Sequence, residues 1–164
     1  MNTKICYDDQ RLYKYTLHGS DYTYRTRVRP EQAAQDPDGF IALATDGTIT
    51  IKVGYAWDGP SGPAFDSPKY MRGSLVHDAL YQLLRAKILD NTPEHRRAAN
   101  RTFFEILTQD KMFVLRRLIA LLAVTVGCKR RSQPGTGPRK FRVCIDAGKV
   151  VQGRRYRRCW TPFA

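Results

Sequence analysis

Residues 48–84 read TITIKVGYAWDGPSGPAFDSPKYMRGSLVHDALYQLL, and within this stretch the period of the chain changes. As far as Val53, apolar and polar residues alternate, as they do in a strand with one buried face. From about residue 69, Leu75, Val76, Ala79, Leu80, Leu83 and Leu84 recur at helical spacing. Upstream, Leu12–Leu17, Tyr22–Val28, Phe40–Ala44 and Thr48–Val53 read as strands, the last two joined across Asp46-Gly47, a strong hairpin signal. Downstream, Thr92-Pro93 supplies an N-cap with proline at the first helical position. A second helix is expected from about Pro93 to Leu107 and a third from about Lys111 to Val126, stopped by Gly127.

The segment KRRSQPGTGP (129–138) has the composition of a linker. Beyond it, Phe141, Val143 and Ile145 alternate with Arg142 and Cys144, which predicts a short hairpin turning near Ala147-Gly148. The order predicts an α+β fold: N-terminal antiparallel strands, a three-helix core, then a basic C-terminal β-hairpin. Residues 1–128 are expected to form one domain, with strands about 11–54 and helices about 69–126. Residues 129–164, a basic linker and strand pair, are expected to pack on it.

The chain has 164 residues and a formal charge of +13. Eleven cations against one acid from Lys129 to Ala164 account for +10 of it, so the body is nearly neutral and the partners are expected to be anionic. The best apolar run, Met112–Val126, is broken by Arg116 and Arg117 and falls short of the roughly 20 residues of a membrane span. MNTKICYDDQRLYKY has no apolar signal region, so a cytosolic setting is expected, with Cys6, Cys128, Cys144 and Cys159 as thiols. These cysteines lack the C-x-x-C pairing of a zinc ribbon.

In the first helix Ser74, His77, Asp78, Tyr81 and Arg85 fall on one face, opposite Leu75, Val76, Ala79, Leu80 and Leu83. Such a stripe could simply be a solvated face. The second helix argues for more. Its apolar side carries the Arg96 stem, Ala99, Phe103, Phe104, Ile106 and Leu107, with Asn100 projecting from the middle. A buried amide without a partner costs about 1–3 kcal/mol, and His77 on an adjacent antiparallel helix is the candidate partner. A histidine held in this way is arranged as a general base, and Asp78 could hold a hard cation or a water. The glycines of Tyr55–Pro63 would let backbone carbonyls approach a ligand. His18 reads as turn chemistry and His95 as part of a first helical turn, both structural.

Two resemblances follow from these residues. Trp57–Pro63 (WDGPSGP), His77–Tyr81 (HDALY) and Arg96–Phe104 (RRAANRTFF) resemble an uncharacterised family of small phage and prophage proteins with W-D-G-x-S-x-P, H-D-x-L-Y and R-x-x-A-D-x-x-F signatures, over about residues 40–128. This resemblance implies a phage-encoded protein, working in the cytoplasm of a bacterial host or associated with the virion. The same elements resemble the phospholipase A2 superfamily, most closely its viral-capsid members. That resemblance implies His77, Asn100 and Tyr81 as catalytic residues. It also implies a calcium ion on Asp78 beside Trp57, Gly59 and Ser61, and hydrolysis of an ester or phosphoester. Gly59 precedes His77 by 18 residues, the separation expected there. Where both families carry aspartate, this chain has Asn100.

In the tail, Lys129, Arg130, Arg131, Arg139, Lys140, Arg142, Arg154, Arg155, Arg157 and Arg158 are interleaved with Phe141, Tyr156 and Trp160. This mixture suits a phosphate backbone with stacked bases, or an anionic membrane surface. Two function classes remain: a metal-assisted hydrolase using His77, and a non-enzymatic phage accessory protein that binds nucleic acid, a nucleotide or a host protein.

Overall fold

The computed structural model describes residues 4–9, 15–59, 67–127, 141–146 and 149–153. Its elements run β1(Lys4–Asp9), β2(Tyr15–His18), β3(Tyr22–Arg25), β4(Ala34–Gln35), β5(Ile41–Leu43), β6(Thr48–Ile51), β7(Ala56–Trp57), α1(Pro68–Arg85), α2(Pro93–Gln109), α3(Val114–Gly127), β8(Phe141–Asp146) and β9(Lys149–Gly153). The class is α+β, with antiparallel strands followed by three helices. Leu12–Lys14 and Ala147-Gly148 lie outside the described residues.

One sheet has the order β3-β6-β5-β4. Asp46-Gly47 turns its central hairpin, with Asp46 Oδ1 accepting from the Thr48 amide at 2.9 Å. Alternate residues of these strands, Tyr22, Tyr24, Ile41, Leu43, Ile49 and Ile51, are buried in the main core together with much of α1. The strand expected to reach Val28 stops at Arg25. There the Thr26 amide and hydroxyl both donate to the Gly47 carbonyl, at 2.8 and 2.9 Å, and the hydroxyl accepts from the Val28 amide at 3.2 Å, so beyond Thr26 the chain bonds to its own side chain. The second sheet has the order β7-β2-β1-β8-β9. Its strand β1 was not expected from the sequence. Cys6 on β1 is disulfide-bonded, not the thiol expected, and Cys144 stands directly across from it in the β1–β8 register.

Thr92 caps α2 as the sequence predicts, accepting from the His95 amide, and Ser67, which the sequence reading did not single out, caps α1 by accepting from the Lys69 amide. Both helices end on a lysine in the left-handed region, Lys87 (φ 58°) and Lys111 (φ 53°). Each end closes with paired bonds back into its helix: Ile88 N to Leu83 O and Lys87 N to Leu84 O, then Met112 N to Leu107 O and Lys111 N to Thr108 O. This closure places Lys111 outside α3, which starts at Val114 and not at 111.

The polar stripe of α1 is not an open face. His77 and Tyr81 are buried where α2 packs antiparallel across them, Ser74 is buried against Trp57, and Asp78 and Arg85 are half-buried. Gly73 allows the approach: a Cβ there would stand 3.0 Å from both Leu107 and Phe103. Arg96, expected to lay its stem on the apolar side, is exposed and donates to Asn91 Oδ1 at 2.6 Å.

One turn before the His77 region, α1 carries Arg72, which is fully buried. Its guanidinium pairs with the equally buried Asp110 carboxylate at 3.3 Å and donates to Gln109 Oε1 at 3.0 Å. Gln109 in turn donates to the Tyr24 hydroxyl at 3.0 Å, so α1, the C-terminal end of α2 and strand β3 share one network. Burial pushes the neighbouring Tyr22 phenol far above its ordinary pKa, against the opposing pull of Arg72. The helix dipole adds to the attraction, since the cation sits at the carbonyl end of α2. Replacing Arg72 by Met is expected to destabilise the protein by about 3–5 kcal/mol in urea denaturation, because Asp110 keeps a buried charge. Arg72→Met combined with Asp110→Leu is expected to recover most of that loss.

Candidate functional site

His77 lies in the middle of α1 and Asn100 in the middle of α2. The His77 Nε2 to Asn100 Oδ1 distance is 3.1 Å, as the amide on the apolar stripe predicts. The Tyr81 hydroxyl, one turn along α1, donates to the same oxygen at 3.0 Å. On its other side, Asn100 Nδ2 donates to Thr125 Oγ1 on α3 at 3.4 Å, and that hydroxyl donates to the Leu121 carbonyl at 2.7 Å. With the Asn100 oxygen turned towards His77 and Tyr81, that oxygen only accepts, so in this arrangement Nε2 of His77 is the donor. In the neutral ring the basic lone pair is therefore on Nδ1, which stands 3.8 Å from Asp78 Oδ1.

Apolar rings hold the imidazole in place. Its centroid is 4.4 Å from that of Tyr81 and 5.2 Å from that of Phe103. The His77 side chain is 6% exposed and Asp78 19%, so solvent reaches the pair mainly at the carboxylate. Burial raises the Asp78 carboxyl above its ordinary pKa, the His77 ring pulls it back, and the charge of Asp58 raises it further.

The segment before α1 braces the helix on both sides of His77. Trp57 Nε1 donates to Ser74 Oγ at 3.1 Å, and the Tyr55 hydroxyl donates to Gln82 Oε1 at 3.1 Å. The Trp57 ring is fully buried, 5.6 Å from Tyr15, so only its backbone could serve a ligand. Gly59 has φ +70°, and a Cβ there would come within 2.4 Å of the Tyr15 ring. Asp58 is half-buried between these two residues.

His77, Asn100, Tyr81 and Asp78 are thus brought together, with Trp57 and Gly59 on the segment that braces their helix. Ser61 lies outside the described residues. So do the tail cations Lys129, Arg130, Arg131, Arg139, Lys140, Arg154, Arg155, Arg157 and Arg158, and Arg142 is described only by its backbone on β8. Sequence reasoning missed Thr125, whose signal was a hydroxyl within the apolar run LIALLAVTVG. His18 Nδ1 accepts from the Gly19 amide at 2.6 Å, and His95 Nδ1 lies 2.7 Å from the Asp90 carbonyl, both local structural contacts. Among the described residues, no group of three His, Cys, Asp or Glu side chains could hold a metal.

A carboxyl held above its ordinary pKa by burial disfavours the fold once it ionises. Stability from this position is full below the ordinary carboxylate pKa and declines as the pH rises towards the raised value. Asp78→Asn is therefore expected to stabilise the protein at neutral pH in thermal denaturation, and to lose that advantage when the melt is repeated at a pH below the ordinary aspartate pKa.

No family model, no curated protein and no solved structure matches this chain.

Proposed function

We propose that the protein is a small phage-encoded hydrolase of an ester or phosphoester, with His77 as general base and Asn100 and Tyr81 orienting it. The observation that supports this reading most is the hydrogen-bond order around Asn100, which leaves the lone pair of His77 on Nδ1, beside Asp78. A water at Nδ1 gives its proton to the ring as its oxygen attacks the ester carbonyl or phosphoryl centre, and the imidazolium returns that proton to the leaving oxygen as the C–O or P–O bond breaks. The imidazolium keeps its Nε2–H on the Asn100 carbonyl, whose dipole supports the positive charge less than a carboxylate would. The phospholipase-A2-like motif in the sequence supports the same assignment.

The resemblance to the phospholipase A2 superfamily supports a calcium ion as part of this reading, with Asp78 as its one described carboxylate ligand. Asp78 offers a hard carboxylate that burial and Asp58 disfavour as a free anion, and the carbonyls of Trp57 and Gly59 and the hydroxyl of Ser61 would complete the ligand set. When bound, the ion would polarise the substrate oxygen. In an assay with phospholipid, nucleotide and nucleic-acid substrates, His77→Gln is expected to lower turnover by about 10²–10⁴-fold. Asn100→Asp is expected to match or exceed the wild type, and chelation of calcium to abolish turnover. Wild-type protein inert towards all three substrate classes, with and without calcium, overturns this reading.

The tail favours a second reading, in which the protein binds a polyanion such as nucleic acid, or a host protein, without catalysis. Its support is the +10 carried by residues 129–164. Removing the tail would also remove β8, the partner of β1, so substitution is the cleaner test. Replacing Arg154, Arg155, Arg157 and Arg158 by Gln is expected to weaken duplex DNA binding. It should also flatten the salt dependence by about 0.9 in log-log slope for each phosphate that is no longer neutralised.

A further inference from the structure

Helix α3 turns its smaller side chains inwards. Ala120 and the half-buried Val124 pack against Tyr70, Phe103, Leu107 and Met112. On the opposite side Leu115, Leu118, Ile119 and Leu122, at the i, i+3, i+4, i+7 spacing of one helix face, are 48–64% exposed. Phe113, just before the helix, is 70% exposed. This outward face carries no charged side chain. Arg117 leaves it, lying 5.4 Å from the centroid of the Phe104 ring and donating to Thr108 Oγ1 at 2.6 Å. Lys111 and Arg116 are exposed at its border. Scattered exposed leucines need no explanation, but a contiguous row of them marks a surface that is covered in use.

Charge decides what covers it. From Lys111 to Gly127 the chain has three cations and no acid, within a protein of +13. A second copy meeting this face would bring two such segments together, whereas an anionic lipid surface would attract them. The helix also has the length for lying on a bilayer. Its 14 residues span about 21 Å, against about 30 Å of hydrocarbon, and no helix among the described residues is long and apolar enough to cross a membrane.

We propose that α3 is an interfacial helix that seats the protein on an anionic lipid surface, burying Phe113, Leu115, Leu118, Ile119 and Leu122 among the acyl chains with Lys111 and Arg116 at the headgroups. This role does not depend on the chemistry of His77.

The test is co-sedimentation of the full-length protein with vesicles of phosphatidylcholine alone and of phosphatidylcholine containing phosphatidylglycerol. Wild-type protein is expected to bind the second and not the first. Leu118→Asp with Leu122→Asp is expected to weaken that binding by about tenfold or more, while heparin binding, which reads the tail's charge, stays unchanged. Equal vesicle binding by wild type and variant overturns the proposal. So does a wild-type dimer in analytical ultracentrifugation that the double substitution converts to a monomer, because a second copy then occupies the face. As a measurement that leaves the face intact, Phe113→Trp is expected to show fluorescence quenching by lipids brominated on the acyl chain. No quenching with vesicle-bound protein overturns the proposal.

Discussion

The ion pair between Arg72 and Asp110 sets the placement of the helices. Two opposite charges fully removed from water tolerate little displacement, because each ångström of separation weakens an attraction that offsets the cost of burying both. The pair fixes α1 against the end of α2, and Gln109 carries the constraint on to Tyr24 in the sheet. His77 lies five residues along α1 from Arg72, and Asn100 ten residues back along α2 from Asp110. Once the far end of the helix pair is locked and Gly73 allows close contact, the two side chains meet at hydrogen-bond distance. The site is thus a consequence of the core's geometry as well as of its own bonds.

The same three helices serve two purposes. Asn100 bridges His77 and Tyr81 on α1 to the exposed Thr125 on α3. The outer face of α3, with Thr125 at its edge, is apolar and open. A helix that buries Ala120 and leaves its leucines outside departs from the ordinary pattern of a core-packed helix.

How much of this could be read from residues alone differs from element to element. The first helix was legible from its apolar spacing, the second because Thr92-Pro93 announces its start, and the β5–β6 hairpin because Asp-Gly announces its turn. The His77–Asn100 bond was legible because an amide on an apolar stripe demands a partner. Arg72 lies on the stripe of Leu75, Val76 and Ala79, so the same reasoning would have exposed it, but its partner Asp110 stands past the end of α2, where acids are commonly solvated. Strand β1 was hidden because KICYDD lacks clean alternation and finds its partners at residues 15–18 and 141–146, far apart in the chain. The disulfide at Cys6 was missed because the redox setting was inferred from the N-terminal sequence and not from strand register. The end of the second helix was misplaced because glycine, the usual stop, is absent there.

That absence of glycine bears on how far the protein is from its own optimum. Lys87 and Lys111 hold a backbone shape that costs a side-chain-bearing residue roughly 1 kcal/mol more than glycine. Both positions are on the surface and away from His77, so neither conformation is forced by the site. The fold therefore carries unused thermodynamic headroom at two helix ends, as expected where selection demands only sufficient robustness. Those two positions are where an engineer could harden the scaffold without disturbing its polar interior.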